Sequence, residues 1–513
     1  MSLALPGRRP APPVWLLLAA APPCLLIALP LAYVALRAWG VGVAGVADEL
    51  LRPRTLELLV NTLTLALSVT AISAVLGVAC AWVVERCDLP GRRAWRILLA
   101  LPLATPAFVA SFAWASLDVV FQGMAGAVLI LSLSHYPLVY LPVAAALRSM
   151  DPAYEDVARS LGKGPWGAFW RVALPQAWPA LGAGALLALT HMLAEFGALA
   201  LLRVQTFTTA IFASYELQFD SSTAALQSAV LLALSLPAAL LEMRLRRDMR
   251  FSRSGRGGRR APRLLELGRL KPLVVAAFAV LVLLGSGVPA GMLAYWIAVG
   301  RSAARGVDIW PAIAGSLGLA LPGALIVTAL ALPLVLAATR RRSPLTALLD
   351  RLPYVVHGLP GLVVALALTF FAIRYVTPLY QTTALLFAAY AVLFLPLAQS
   401  ALRASVELAP PGLEEVARSL GRGPLMAFAT VTLPNILPGV GASLALMTLE
   451  LVRELTATLL LAPIGVTTLA TEVWSRANDG QYAAAAPFAA LLVALSALPV
   501  YVFTRRSLEL HDL

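Results

Sequence analysis

Long apolar runs alternate with short polar, arginine-rich segments along almost the whole chain. A bilayer core about 30 Å thick is crossed by roughly 20 helical residues at about 1.5 Å each, and the apolar runs have that length. The first run is too long for a signal peptide and is read as an uncleaved span. The pattern predicts an all-α polytopic membrane protein with about twelve spans. They are residues 14–36, 58–84, 97–117, 124–147, 176–200, 224–241, 272–299, 316–338, 352–372, 382–402, 435–461 and 483–503.

Basic residues indicate which side of the membrane each connecting segment occupies, because Lys and Arg are enriched in cytoplasmic loops. If the amino terminus lies inside, thirty of the 39 basic residues fall in predicted cytoplasmic segments and eight in predicted outer ones. We therefore expect both termini to be cytoplasmic.

Composition agrees with this class, since 60% of the residues are hydrophobic and only 13% are charged. A nucleic-acid-binding protein is excluded despite the net charge of +13, because the chain has little polar surface. Eleven of the basic residues lie in segment 244–271, which is expected to be a solvated cytoplasmic linker that touches anionic lipid heads. The three cysteines predict no disulfide.

The chain contains an internal repeat. The sequence YEDVARSLGKGP at 154–165 matches LEEVARSLGRGP at 413–424 with an offset of 259, and the same offset pairs Thr208-Thr209 with Thr467-Thr468. Earlier in each half the offset is 254, which places Arg86 on Arg340. The repeat predicts two parallel halves of six spans, 1–243 and 272–513, joined by the linker 244–271, with a pathway between them.

The repeated block lies in the predicted cytoplasmic loop after the fourth span of each half. Asp151-Pro152 predicts a helix start, Gly162 predicts its end, and a second short helix is expected over 166–172. We expect the small side chains of Ala158 and Ala417 to let another surface approach closely. The first helix carries an apolar stripe at Tyr154, Val157, Ala158 and Leu161, repeated at Leu413, Val416, Ala417 and Leu420.

These two loops resemble the EAA loop of ABC-type importer permeases, whose pattern is E-A-A-x3-G-x9-I-x-L-P. We name residues 151–175 the first EAA-like loop and residues 410–434 the second EAA-like loop. The copies depart from the pattern mildly, with Asp for Glu in the first and Val for the first Ala in both. The resemblance implies that the following residues dock a separate ATPase: Asp156, Ala158, Gly162 and Pro175, with Glu415, Ala417, Gly421 and Pro434.

The same resemblance implies the remaining features of the system. The fold would be that of a type I ABC importer permease in a bacterial inner membrane. The partners would be two copies of a cytoplasmic ATPase subunit and a periplasmic substrate-binding protein. The chain has no Walker A sequence, so ATP and Mg²⁺ would be bound by the ATPase. This chain would be a transport subunit with no cofactor and no catalytic residue.

The substrate is indicated by two stretches, 195–215 and 454–474, which resemble the iron(III) importers most closely. Thiamine or another small solute is the alternative. Glu195 and Glu454 occupy equivalent positions at the ends of predicted spans, and such carboxylates would attract a hard cation that prefers oxygen ligands. The competing interpretation is that each carboxylate caps or pairs locally. His191, four residues before Glu195, is interpreted as a packed residue, and no metal ligand is assigned.

A proton-coupled secondary transporter is the main competing class, because it also has two six-span halves. It leaves the paired loops after the fourth and tenth spans unexplained. An intramembrane enzyme is less consistent still, since the spans contain no HExxH or GxSxG motif.

Overall fold

The computed structural model describes residues 14–251, 264–300, 308–340, 343–356 and 359–512. Within these ranges the regular structure is helical, apart from an isolated parallel bridge between Cys87 and Leu265. Among the described residues, nine helices are long and apolar enough to cross a membrane, or ten if one bent pair is counted as a span. The predicted all-α polytopic class is confirmed. The middle of the predicted linker, 252–263, and the termini at 1–13 and 513 lie outside the described residues.

The chain forms two compact units. The first unit comprises Gly42–Ile309 with Glu472–Leu513, and the second comprises Met1–Val41 with Trp310–Thr471. Helices α1 and α22 each cross a unit boundary. The α-helices are α1 (Val14–Leu51), α2 (Pro53–Arg86), α3 (Arg92–Leu98), α4 (Ala107–Leu117), α5 (Met124–Ser149), α6 (Ala153–Ser160), α7 (Pro165–Ala168), α8 (Leu174–Ala194), α9 (Gly197–Leu201), α10 (Phe207–Phe212), α11 (Ser221–Phe251), α12 (Lys271–Val282), α13 (Val288–Val299), α14 (Trp310–Arg340), α15 (Pro344–Val356), α16 (Gly361–Tyr375), α17 (Thr383–Leu408), α18 (Pro411–Ser419), α19 (Pro424–Ala427), α20 (Leu433–Arg453), α21 (Thr456–Leu461), α22 (Leu469–Asn478) and α23 (Tyr482–Asp512).

The compact units differ in composition from the two sequence halves. Most of α1, which begins the amino-terminal half, belongs to the second unit. Helices α12, α13 and α23 come from the carboxy-terminal half and belong to the first unit. A sequence repeat shows which segments are duplicated, whereas a compact unit reflects which apolar faces pack together.

Helix α5 is the central helix of the first unit and packs against both α2 and α8. Glycines on both neighbours make this close approach achievable, since a Cβ on Gly77 of α2 or on Gly184 of α8 would lie within 3 Å of Val139. Small residues at helix contacts are the usual device for close packing in membranes. In the second unit α17 packs against α14 and α20, and Gly323 of α14 lies against Tyr390.

Two predicted spans are not single straight helices. The predicted span 97–117 is divided between residues 92–104 and α4, which are bent by 85°. Pro102 and Pro106 lie at this break, where a proline removes a backbone donor. The predicted span 352–372 is divided between α15 and α16, and Pro360 is the N-cap of α16. The apolar part of the last predicted span, Tyr482–Ala497, is also shorter than a full span.

The described ends of the predicted linker are attached to the rest of the first unit. Helix α11 continues through Phe251, so the linker begins as helix. Residues 264–271, which we name the linker strap, lie against the end of α2. The strap is joined by the Leu265 N–H, which donates to the Arg86 carbonyl at 2.8 Å, and by the Asp88 N–H, which donates to the Leu265 carbonyl at 3.0 Å.

The side chain of Asp88 completes this attachment. Its carboxylate accepts hydrogen bonds from Lys271 Nζ at 2.7 Å and from the Leu267 N–H at 2.8 Å. The Lys271 ammonium, with the help of the Leu267 N–H, holds the pKa of Asp88 below its ordinary value. This end of the linker is therefore structured rather than free in solvent.

Replacing Gly77 with alanine is expected to destabilise the first unit. A Cβ there would lie 2.7 Å from Val139 Cβ and 2.8 Å from the Tyr140 backbone nitrogen. Overpacking of this kind costs roughly 1–3 kcal/mol, so the thermal unfolding midpoint of the detergent-purified protein should fall by several degrees. Gly318→Ala is the control, because nothing lies within 4 Å of a Cβ there. Equal midpoints for the two variants would contradict the close α2–α5 contact.

Candidate functional site

The first EAA-like loop begins with helix α6, as its sequence predicts. The Asp151 carboxylate accepts a hydrogen bond from the Ala153 N–H at 2.9 Å, which caps the helix. In the second EAA-like loop the corresponding helix is α18, which starts at Pro411. Both helices therefore have the predicted position and length.

The predicted glycines end both helices by the same geometry. Gly162 has a φ of +76° and Gly421 has a φ of +84°, a left-handed conformation that glycine adopts without strain. The residue after each glycine donates to a carbonyl five residues earlier, from Lys163 to Ala158 and from Arg422 to Ala417, both at 3.1 Å. This bond satisfies a carbonyl left over at the helix end.

Burial divides the predicted loop residues into two groups. Asp156, Gly162 and Pro175 are exposed in the first loop, as are Glu415, Gly421 and Pro434 in the second. Ala158 and Ala417 are only 8% and 6% exposed. The surface that these two alanines let approach closely belongs to their own chain, because both side chains face the protein.

An exposed apolar face remains on each loop helix. The side chains of Leu161 and Leu420 are 72% and 77% exposed. The rest of each face is also exposed, through Tyr154 and Val157 in the first loop and Leu413 and Val416 in the second. Three of the four positions of each predicted stripe are thus exposed apolar side chains without cover from this chain.

The second short helix of each loop is not separate from the membrane span that follows. Helix α7 runs through a π turn, Phe169–Ala173, directly into α8. In the second loop the π turn is Phe428–Thr432, between α19 and α20. The predicted helix over 166–172 is present, but its predicted end is wrong, because nothing in this stretch ends the helix. A π turn at equivalent positions of both copies is typical of a functional region.

The structure reveals a buried ion pair beneath the first loop. Arg86, the last residue of α2, donates through Nε to Glu155 Oε1 at 2.7 Å and through Nη2 to the Leu147 carbonyl at 2.8 Å. Arg86 is 1% exposed and Glu155 is 3% exposed. The pair joins α2 to the inner side of α6. The sequence offers one signal for it, a charged Glu85-Arg86 pair that ends an apolar span.

Glu85 forms a second charge cluster beside this pair. It is fully buried, and its carboxylate contacts three guanidinium groups at 2.7–3.1 Å. These belong to Arg92, Arg96 and Arg148. Buried charges are stable only when they are paired in this way, so the end of α2 is held by charge on several sides.

The second unit is built differently at the corresponding level. Glu414, the counterpart of Glu155, accepts a hydrogen bond from Thr432 Oγ1 at 3.2 Å. Asp350 pairs with Arg403. The charge cluster around Glu85 is specific to the first unit, because the corresponding sequence positions of the second half hold other side chains. These positions are Thr339, Thr346, Asp350 and Glu407.

Glu195 and Glu454 lie where the long helices α8 and α20 end and short helices begin. The Glu195 carboxylate accepts a hydrogen bond from the Ala198 N–H at 2.9 Å, inside the first turn of α9. The Glu454 carboxylate accepts from the Ala457 N–H at 2.8 Å and from Thr458 N–H and Oγ1 at 2.9 and 2.6 Å. The local capping interpretation is therefore confirmed for both residues.

The capping bonds leave the two carboxylates with different capacities. A carboxylate has about four lone-pair sites, and the three bonds described for Glu454 use most of them. Glu195 accepts one bond among the described contacts and keeps more capacity for a cation. Capping does not exclude a second role.

His191 is exposed, so its interpretation as a packed residue is wrong, although it is bonded within its own helix. Its Nδ1 lies 2.8 Å from the Leu187 carbonyl of the same helix, and its ring centroid lies 6.1 Å from that of His135. Among the described residues no group of three or more His, Cys, Asp or Glu could hold a metal ion.

The repeat register after the short helices needs one correction. Thr206 and Thr209 form a capping box at the start of α10, and Thr468 and Thr471 form the same hydrogen bonds before α22. The structural offset here is 262 rather than 259, so pairing Thr208-Thr209 with Thr467-Thr468 is wrong. The loop after α21 is three residues longer, which a gapless comparison of two threonine pairs does not reveal.

Comparison with known proteins gives consistent matches. The family described as the binding-protein-dependent transport system inner membrane component matches residues 73–251 and 329–512. An Fe(3+)-transport system permease protein of Haemophilus influenzae is 44% identical over 499 residues, covering 96% of this chain and 98% of that protein. Two Escherichia coli proteins cover less of the chain. A sulfate transport system permease is 30% identical over 42% of the chain and 84% of its own length. A molybdenum transport system permease is 31% identical over 24% of the chain and 60% of its own length.

Substituting Gly421 with alanine is expected to loosen the second loop helix. The left-handed φ of this residue costs a non-glycine side chain about 1 kcal/mol, although nothing lies within 4 Å to clash. Trypsin should then cleave after Arg418 and Arg422 about fivefold faster, because local opening becomes more populated. Gly423→Ala is the matched control, since a Cβ there also meets open space and its φ is not positive. Equal cleavage rates would show that Gly421 does not hold the helix end.

Proposed function

The chain belongs to the family of binding-protein-dependent transport system inner membrane components, the permease subunits of ABC importers, and we propose that it carries iron(III) into the cytoplasm. Family membership implies a substrate-binding protein and an ATPase as partners. The iron assignment goes further and depends on one observation. The resemblance to the iron-transport permease extends over both halves, whereas the sulfate and molybdenum permeases match less than half of the chain.

We further propose that the two EAA-like loops dock two copies of a cytoplasmic ATPase, which binds ATP and Mg²⁺. The exposed apolar faces of α6 and α18 support this role, because an amphipathic helix of this kind fits a groove of a partner protein. The bias of basic residues supports the cytoplasmic placement of the loops and of both termini. A periplasmic binding protein would deliver the iron on the opposite side, and the apolar body would lie in membrane lipid.

Glu195 is the better candidate of the two carboxylates for contact with the cation. Fe³⁺ is a hard ion that prefers oxygen ligands, and Glu195 keeps more free acceptor capacity than Glu454. Both residues lie at helix breaks, and broken helices within a membrane protein are tolerated where they line a cavity or pack on protein. The ion itself is the transported substrate and not a resident cofactor.

Neutralising both carboxylates should lower the uptake of radiolabelled iron by at least about tenfold in cells that lack their own permease, because an opposite charge in a low-dielectric site is lost. In Glu195→Gln and Glu454→Gln the amide oxygen can still accept the capping N–H, so the short helices should persist. Glu195→Gln alone should have the larger effect. Glu57→Gln is the control, because Glu57 is an exposed carboxylate paired with Arg54.

Several results would decide against parts of this proposal. Undiminished iron uptake in the double variant would remove the carboxylates from the pathway. Uptake of thiamine, sulfate or molybdate but not of iron by the unaltered protein would overturn the iron assignment. Transport without any ATPase subunit would favour a secondary transporter instead.

Replacing Leu161 and Leu420 with serine should reduce the amount of ATPase subunit that co-purifies with the permease. Each apolar side chain that becomes buried at an interface contributes about 1.5–3 kcal/mol, so each single change should weaken association about tenfold or more. Leu217→Ser is the matched control, since Leu217 is 71% exposed but lies outside the loops. Full retention of the ATPase in the double variant would contradict docking through these faces.

A further inference from the structure

We propose that helix α2 is a stiff link between the first EAA-like loop and the turn between α8 and α9 that contains Glu195, which we name the Glu195 turn. Arg86 is the positioning residue at the loop end of α2, and Thr62 makes the contact towards its opposite end. The inference rests on the proposed function, since it concerns how docking of an ATPase reaches the transport pathway. All the contacts involved lie within the first unit.

At the loop end, Arg86 joins three segments to the last turn of α2. Its guanidinium holds Glu155 of the loop helix and the carbonyl of Leu147 at the end of α5. Its own carbonyl accepts the Leu265 N–H of the linker strap. Because Arg86 and Glu155 are both almost completely buried, water does not weaken the pair, and a displacement of α6 must displace the end of α2.

At the opposite end, α2 contacts the segment that carries the Glu195 turn. Thr62 Oγ1 accepts the Phe207 N–H at 3.2 Å, and Asn61 Nδ2 donates to the Gln205 carbonyl at 3.1 Å. The neighbouring Thr208 Oγ1 donates to the Glu195 carbonyl at 2.7 Å. Two hydrogen-bonded steps therefore lead from α2 to the backbone of Glu195.

Between these ends α2 is well suited to act as one rigid body. From Thr62 to Arg86 it spans about 36 Å at 1.5 Å per residue. Of the nine long candidate spans found among the described residues, α2 alone has no proline after its first residue. Proline is the commonest cause of kinks in helices, so its absence favours a straight helix.

The corresponding helix of the second unit has the same outer contact but a different body. Ser316 Oγ of α14 accepts the Leu469 N–H at 2.8 Å, as Thr62 accepts that of Phe207. Helix α14 contains Pro322 and Pro333, however. The two halves thus attach the turn region alike but differ in the stiffness of the helix, which makes the first loop the more direct route.

A double-variant cycle tests the link. The permease, its ATPase and its iron-loaded binding protein are reconstituted in lipid vesicles, and the ratio of iron transported to ATP hydrolysed is measured. Glu155→Gln should lower this ratio about tenfold and Thr62→Val about threefold, while the ATPase still co-purifies. Because both changes interrupt the same link, the double variant should resemble Glu155→Gln alone. If the two sites were independent, their effects would instead multiply and lower the ratio about thirtyfold.

Glu155→Gln with Ser316→Ala is the control cycle, because Ser316 makes the equivalent bond outside α2. The effects of these two changes on the transport ratio should multiply. Multiplying effects for Thr62→Val with Glu155→Gln, or no effect of either single change, would overturn the inference. Failure of the unaltered importer to transport iron would instead overturn the proposed function.

Removing both charges of the ion pair distinguishes a positioning role in transport from a role in stability alone. Arg86→Met with Glu155→Leu leaves no unpaired buried charge, so the amount of folded protein in the membrane should return to that of the unaltered chain. The transport ratio should stay low, because apolar contacts lack the direction of the hydrogen bond from Arg86 to Glu155. Recovery of the ratio together with the protein level would show that Arg86 only stabilises the fold.

Discussion

Inside a membrane a backbone N–H or C=O has no water to bind, and each unsatisfied group costs several kcal/mol. This constraint explains why the described chain is helical and why the breaks after α8 and α20 are capped. Where α20 stops, the Glu454 carboxylate takes up the first N–H groups of the next helix, and Glu195 does the same after α8. The carboxylates that would attract a cation thus also satisfy backbone N–H groups that the helix breaks expose.

Charge burial places a second constraint on the loop side of the first unit. Glu85 and Glu155 compensate Arg86 and its neighbouring arginines, so a concentrated set of charges can lie out of water. Removing a single partner would leave a buried charge unpaired, which is far more costly than removing a surface charge. The second unit carries no such cluster at the corresponding sequence positions. Two copies of one motif therefore rest on unequal supports.

Much of the fold could be predicted from hydropathy, whereas the breaks within it depend on prolines and caps that hydropathy does not register. Spans were predicted from the length of apolar runs, and residues 97–117 are long and apolar enough for one span. Pro102 and Pro106 nevertheless allow an 85° bend within them. The same criterion extended the fifth and eleventh spans beyond Glu195 and Glu454, where the long helices end. The sequence repeat likewise did not indicate that α1 would pack mainly with the second unit.

The sequence by itself determined what depends on neighbours along the chain. The helix starts, the left-handed glycines at 162 and 421, the apolar faces and the spacing of the EAA-like loops follow from contacts a few residues apart. Only the tertiary structure decided which side of α6 is covered, so that Ala158 faces inward and Glu155 meets Arg86, 69 residues away. It also decided the threonine register before α22. These outcomes depend on packing between distant segments, and a local pattern contains no information about which distant segment will be its neighbour.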